Sequence, residues 1–286
     1  MTPPRPADVR SISSRLAQSS LTPALRKVAE LLLVDPEAVA FGTVASVAER
    51  AGTSTPTVVR LSTALGYDGF AHLREAARAE LSMRLSTDAV RVRSAAPASD
   101  LDALREAECT NVTATLDGLD RVALDRAIDL LDDAQRQLWV LPSTQTEGVA
   151  QRLVDQLHML GRRAVLLVGS EFRISTSLAA VRRGDVVMTI DIPRHEPALI
   201  RSQDQAVQAG AVPVVVTGSV PTSLATDGGV VLLFASTSVG PFDSLVGLTV
   251  VANLLVNALS ERRQPEVASR LANLETAWTR SGALRS

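Results

Sequence analysis

Between residues 46 and 70 the chain reads SVAERAGTSTPTVVRLSTALGYDGF, and the hydroxyl side chains Ser54, Thr55 and Thr57 crowd together shortly after Gly52. Short hydroxyls at the start of a helix stand beside backbone N–H groups that the helix itself cannot satisfy, and together they bind phosphate oxygens or base edges. Arg60 follows one turn on, and Arg50 and Arg74 lie on either side; guanidinium groups pair with phosphate in bidentate fashion. A second set of anion-binding chemistry lies further along. PSTQTEG at 142–148 carries Ser143, Thr144 and Thr146, and PRHEP at 193–197 adds a fixed charge at Arg194 and a titratable ring at His195. No catalytic set emerges, because Glu147, Glu171, His158 and His195 form no carboxylate–histidine pair that the pattern brings together. The single Cys109 excludes an internal disulfide framework, and the absence of a CxxC or Cys/His cluster removes a zinc site. No metal and no cofactor is expected.

The elements that must position these residues fall into two grammars. Through residue 85 the pattern is one of short helices. Thr22 and Pro23 suit a helix start, Pro36 breaks that helix, Thr43 precedes another, Gly52 ends it and Ser54 can cap the next. Gly66 stops that helix after Leu65, and a last one begins near Gly69. A helix, a tight turn at Gly52 and a second helix from Ser54 is the layout of a helix-turn-helix, whose second helix enters the major groove of duplex DNA. Ala48, Val58, Leu61 and Leu65 have the spacing to hold the two helices together. The stretch SAAPASD at 94–100 reads as a linker.

Beyond it, two helical segments lead into five short apolar runs, QLWVL, RAVLLV, DVVMTIDI, VPVVVTG and GVVLLFA, separated by helical patterns. Valine-rich runs without alternation are the mark of parallel strands buried on both faces. The expected fold is therefore an N-terminal all-α helix-turn-helix domain (1–85), a linker (86–101) and a C-terminal α/β domain (102–286) with a doubly wound, five-stranded parallel sheet. An apolar helix near 243–260 and an amphipathic one near 264–280 close the chain. In such sheets ligands bind outside the carboxyl ends of the strands, which is where the Ser143 and Arg194 loops fall. Ser236, Ser238 and Ser244 form a third rim segment, with Ser244 read as the cap of the following helix. His72 and His158 sit within helical patterns, and Trp139 and Trp278 read as core or interface.

With 46% hydrophobic and only 3% aromatic residues, the core must be built of Ala, Val and Leu. The net charge of −2 divides unevenly: residues 1–85 hold ten Lys and Arg against eight Asp and Glu, leaving the remainder acidic. No leader-like apolar segment or membrane-length run is present, so a cytoplasmic protein is expected.

The run TVASVAERAGTSTPTVVRLSTALGYDGFAHLREAARAEL resembles the N-terminal domain of RpiR-type bacterial transcriptional regulators, with their G-x-S-x-x-T-V-x-R turn and helix start followed by L-G-[FY]-x-G-F. Gly52, Ser54, Thr57, Val58, Arg60, Leu65, Gly66, Tyr67, Gly69 and Phe70 occupy those positions. The resemblance implies a homodimer or homotetramer bound to a double-stranded DNA operator, with Arg50, Ser54, Thr55, Thr57, Val58, Arg60, Tyr67 and Arg74 as the DNA-binding set. It also implies a sugar-isomerase-like (SIS-like) C-terminal domain that senses a phosphosugar or related metabolite. The phrases A-x-x-x-G-A and T-x-S-x-x-S-x-L-A of that family are matched at Ala206, Gly210, Ala211, Thr217, Ser219 and Leu224, which adds Thr217 and Ser219 to an effector set of Ser143, Thr144, Thr146, Arg194 and His195.

Two departures bear on the ligand. The family's first loop, G-x-G-x-S, has lost both glycines here, and its S-x-S-G-x-T phrase after the third strand is replaced by Asp191-Ile192-Pro193-Arg194-His195. A small anion gripped by Arg194, whether phosphosugar or organic acid, is compatible with this rim. Two alternatives stay open, a DNA-binding dimer whose second domain only assembles subunits, and a sugar-phosphate isomerase.

Overall fold

The computed structural model describes residues 12–17, 19, 21–85, 100–192, 196–218 and 222–283. By internal contacts the chain divides into two compact units, Met1–Asp117 with Ser238–Phe242, and Gly118–Thr237 with Asp243–Ser286. All but the last two residues of the expected linker lie outside the described residues.

The first unit contains α1 (Ile12–Ala17), α2 (Pro23–Val34), α3 (Pro36–Phe41), α4 (Val44–Arg50), α5 (Thr55–Ala64), α6 (Phe70–Leu85) and most of α7 (Leu101–Gly118). The helices are short because each is punctuated chemically. Pro36 does not end the helical region; it starts α3 after a one-residue break at Asp35, whose carboxylate accepts the Ala38 N–H at 3.0 Å. Thr43 and Ser46 close a reciprocal capping box on α4, the Ser46 N–H reaching Thr43 Oγ1 at 3.1 Å and the Thr43 N–H reaching Ser46 Oγ at 2.9 Å. The turn into α5 needs a left-handed residue, and Gly52 supplies it with φ 59°. The core beneath is aliphatic: Val28, Leu32, Val39, Val47, Val58, Leu61, Leu65 and Leu73 interlock from five helices.

The second unit contains α8 (Arg121–Asp132), β1 (Leu138–Pro142), a 3₁₀ turn (Thr144–Thr146), α9 (Glu147–Met159), β2 (Ala164–Leu166), α10 (Glu171–Leu178), β3 (Val186–Asp191), α11 (Pro197–Gln208), β4 (Val212–Thr217), β5 (Val230–Leu233), α12 (Val246–Arg262) and α13 (Gln264–Ser281). The five strands are all parallel, in the order β2-β1-β3-β4-β5. This is the doubly wound sheet expected from the valine-rich runs. Side chains alternate between two cores. Leu138, Val140, Val186, Met188 and Ile190 pack against α8, α9 and α12, while Trp139, Leu141, Val187 and Val215 pack against α10 and α11. With both faces covered, no strand of the sheet centre needs a polar side, which is why the runs read as continuous apolar stretches.

Polar groups pin the amino-terminal edge of the sheet. Asp185, 7% exposed, accepts from Trp139 Nε1 at 3.1 Å and from the Arg182 and Gln137 N–H groups at 2.9 and 3.1 Å. Arg162, 5% exposed, donates to the carbonyls of Leu131 (2.6 Å) and Arg136 (2.7 Å), capping the end of α8; burial is the main cause of its lowered pKa. His158 Nε2 lies 2.9 Å from Ala164 O, holding the end of α9 to β2. The apolar α12 is a core helix, burying Leu248, Val251, Leu255 and Leu259. On α13 only Val267 is buried, and Trp278 is half-buried.

Candidate functional site

In the first unit the start of α5 faces outward. Ser54, Thr55 and Pro56 are exposed and Thr57 is half-buried, as is Tyr67 beyond the helix end. The local hydrogen bonds differ from a free anion cradle. Ser54 Oγ and Thr57 Oγ1 lie 2.9 Å apart and bond to each other, and the Ser54 side chain caps no backbone N–H. The N–H groups of Thr57 and Val58 both point to Ser54 O, at 2.9 and 3.3 Å, and Pro56 has none to give. The helix start therefore offers less to a phosphate than its spacing suggested, and its outward side chains matter more.

The basic residues have distinct surroundings. Arg60 is exposed and makes no hydrogen bond or ion pair with any described residue. Arg50 is joined to Asp35 at 2.5 Å, an exposed pair that a phosphate would have to compete with. Arg74 is half-buried on α6, its Nε enclosed without a hydrogen-bond acceptor among the described residues. Tyr67 is covered by Arg15, whose guanidinium carbon stands 4.7 Å from the ring centroid, while Arg15 Nη1 donates to Leu65 O at 3.0 Å. Arg15 was not read from the sequence; a cation at the carboxyl end of α5 complements the helix dipole, and Gly66 leaves room for it, since a Cβ there would come within 3.0 Å of Nη1. One residue of the expected DNA-binding set is corrected. Val58 is 0% exposed and belongs to the core that holds α5 to its neighbours, so it cannot meet DNA from this position.

In the second unit the strand order reverses between β1 and β3, and the loop that leaves β1 and the carboxyl end of β3 border the crevice where open α/β sheets bind ligands. Ser143, 2% exposed, follows β1, its N–H bonded to Ile190 O at 2.8 Å and its Oγ 3.2 Å from Thr146 Oγ1. Thr146 is fully buried, and its hydroxyl lies 2.9 Å from Ile190 O and 3.1 Å from Ser143 O, tying the β1 loop to the end of β3. Thr144 is exposed and meets the opposite lip. Its N–H reaches Glu196 Oε1 at 2.9 Å and its hydroxyl reaches Oε2 at 3.2 Å.

Glu196 thus lays a carboxylate on the donors that an anionic ligand would use. The signal for it in the sequence is the acid of PRHEP, which directly precedes Pro197 at the start of α11. Arg194, His195 and Ser219 lie outside the described residues. Thr217 is fully buried at the end of β4, in register with Asp191 and Leu233. Asp191 is 1% exposed, with Oδ1 accepting the Ile192 N–H at 2.8 Å. On the third rim segment, Ser244 Oγ accepts the Val246 N–H at 3.2 Å at the start of α12. Glu171 at the start of α10 is bound bidentately by Arg201 at 2.8 and 3.0 Å, and that pairing lowers its pKa. Among the described residues no group of His, Cys, Asp and Glu could hold a metal ion, and no helix is long and apolar enough to cross a membrane.

Comparison with known proteins adds independent findings. Residues 10–84 match the helix-turn-helix domain of the rpiR family. The chain is 28% identical over 207 residues to the bifunctional protein glk of Paraburkholderia xenovorans, covering 72% of this chain and 32% of that protein. It is 33% identical over 133 residues to the HTH-type transcriptional regulator HexR of Pseudomonas aeruginosa, 45% of each chain. It spans about a third of the length of the first of these relatives and under half of the second. Among solved structures, the sugar isomerase domain of an RpiR transcription factor from Sphaerobacter thermophilus superposes with a TM-score of 0.57 at 23% identity, over 61% of this chain and 97% of that one. The Vibrio vulnificus NanR protein, complexed with ManNAc-6P, gives a TM-score of 0.57 at 22% identity over 96% and 100% of the two chains. At these identities the likeness is one of fold.

Proposed function

We propose that the chain is of RpiR type, its rpiR-family helix-turn-helix domain followed by a SIS-like α/β domain, and that it is a transcriptional regulator controlled by a small anionic metabolite. The observation that carries the reading is the outward face of α5 and its cap within the family-matched segment 10–84, where Ser54, Thr55 and Arg60 are exposed and in place to enter a major groove. Binding is to duplex DNA, by a homodimer or homotetramer, because one small module makes too few base contacts for a specific site and a second copy supplies the other half-site. The division into a DNA-binding domain (1–85), a linker (86–101) and an effector and assembly domain (102–286) serves that role in the cytoplasm.

The effector enters at the β1/β3 crevice. Thr144 is the exposed member of the proposed effector set, with Ser143 and Thr146 buried behind it and Thr217 buried at the end of β4, and Arg194, His195 and Ser219 join the set by their place in the sequence alone. A phosphosugar, the class of ligand named with the NanR structure, or a phosphorylated or carboxylated acid suits these groups. Its binding changes the relation between subunits and so the match of two recognition helices to half-sites roughly 34–36 Å apart.

A second reading has one specific observation in its favour. Because Glu196 already satisfies Thr144, the domain can serve assembly alone, with no metabolite. The isomerase reading has less. His158 sits at the end of α9, roughly 17 Å of helix from Glu147 at its start, and its ring is engaged with Ala164 O.

Selection of bound duplexes from a randomised pool, followed by a thermal-shift screen with sugar phosphates and short organic acids, tests the regulator. A symmetric selected site and a raised melting temperature with one ligand class are expected. Specific DNA binding with no ligand shift leaves the assembly reading, and turnover of a sugar phosphate without DNA binding overturns the regulator.

A further inference from the structure

On α5 the buried face is made by Val58, Leu61 and Ser62, and the outward face carries Thr55, Pro56, Val59, Arg60 and Thr63. Val59 is 40% exposed. An isolated exposed valine needs no explanation in general. This one stands in the middle of the outward stripe, one turn after the exposed Pro56, and gains the fold little, since a β-branched residue on a helix surface is a poorer helix former than Ala. The polar neighbours that would otherwise read bases are partly spent. Ser54 and Thr57 bond to each other, Thr63 Oγ1 donates to Val59 O at 3.2 Å, and Arg50 is paired with Asp35. What the middle of the stripe presents is an apolar patch, Pro56 and Val59, with the unpaired guanidinium of Arg60 at its side.

The major groove has one apolar feature at the depth of the base edges, the C5 methyl group of thymine. Resting on the DNA-binding reading above, we propose that Val59 is a specificity-determining residue that packs against a thymine methyl in each operator half-site. Arg60, beside it, supplies a bidentate contact to a guanine edge. This assigns to Val59 the base contact that its buried neighbour Val58 cannot make.

The test separates this contact from DNA binding itself. The full-length protein first selects its site from a randomised duplex pool. Each thymine of a half-site is then replaced by deoxyuridine, which removes the methyl and nothing else, and the affinities of wild type and Val59→Ala are compared. Burying one methyl-sized group corresponds to about fourfold in affinity per half-site. The expected result is one thymine whose replacement weakens wild type by about that factor and leaves Val59→Ala unchanged, with Val59→Ala and wild type melting at similar temperatures. If no deoxyuridine substitution weakens wild type, or if the same one weakens both proteins equally, Val59 does not read a methyl even though the DNA site stands. If wild type selects no site at all, the DNA-binding reading falls and the methyl contact with it.

Discussion

Removing the Glu196 carboxylate tests whether the crevice between β1 and β3 is an anion site held shut from within. In the described state Glu196 takes both the N–H and the hydroxyl of Thr144, at 2.9 and 3.2 Å. Hydrogen bonds to a charged acceptor contribute more than neutral ones, but Thr144 is exposed and water competes, so the pair is worth about 1 kcal/mol in total. An incoming anion about 4 Å from the displaced carboxylate meets a further repulsion of about 1 kcal/mol in a water-like dielectric, reduced by salt. Together these amount to about 2 kcal/mol, or roughly thirtyfold in affinity. Glu196→Ala, which removes both terms, should therefore tighten binding of a sugar phosphate by up to that factor, and Glu196→Gln, which removes the charge but keeps an acceptor, by roughly fivefold. Calorimetric titration at low and high salt measures both, and the advantage of the variants should shrink as salt rises. Weaker or unchanged binding by both variants would mean that Glu196 does not occupy the anion position, and would refute the reasoning.

Further outcomes separate fold from function. Val58→Ala opens a void in the core of the first unit and should cost about 2 kcal/mol of stability in a denaturant titration, whereas Arg60→Ala should leave the melting temperature in place and abolish specific DNA binding in a mobility shift. Arg162→Met leaves the carbonyls of Leu131 and Arg136 buried without their charged donor and should destabilise the α/β unit by about 3 kcal/mol, read by the same titration. Glu171 has a lowered pKa because Arg201 binds it, so its stabilising contribution is complete above the ordinary glutamate value of roughly 4.3 and is lost as pH falls through its depressed folded value. The acid limb of a stability profile should accordingly be shallower in Glu171→Gln than in wild type, and an unchanged limb would contradict the assignment.

The sheet was legible because its signal is one of pattern. Valine-rich runs such as DVVMTIDI and VPVVVTG have no polar alternation, and burial on both faces follows from that alone. The helix boundaries at Thr43, Gly52 and Gly66 were equally legible, since capping and left-handed turns depend on residue type at one position, whereas Pro36, read as a break, starts a further helix after Asp35. Side-chain partnerships between distant segments were not. Nothing local ties Arg15 to Leu65 O, Asp185 to Trp139, or Glu196 to Thr144, each pair being brought together only by the fold. The α5 register shows a subtler limit. In TPTVVRLSTA two valines adjoin, and helical spacing from Leu61 and Leu65 selects Val58 for the core and leaves Val59 outside, yet the T-V-x-R phrase puts Val58, not Val59, in the DNA-binding set. At Pro56 the hydroxyl cluster implies a row of helix-start donors, but the proline has no N–H to contribute to it.

The central claim is that α5 reads duplex DNA through its outward first turns. Its most direct test is a titration of the full-length protein with a duplex selected from a random pool and with a scrambled duplex of the same length and composition, at one fixed salt concentration. The account predicts a preference for the selected duplex of at least roughly a thousandfold, lost on Arg60→Ala. Equal affinity for both duplexes, or a preference that survives that substitution intact, would contradict it.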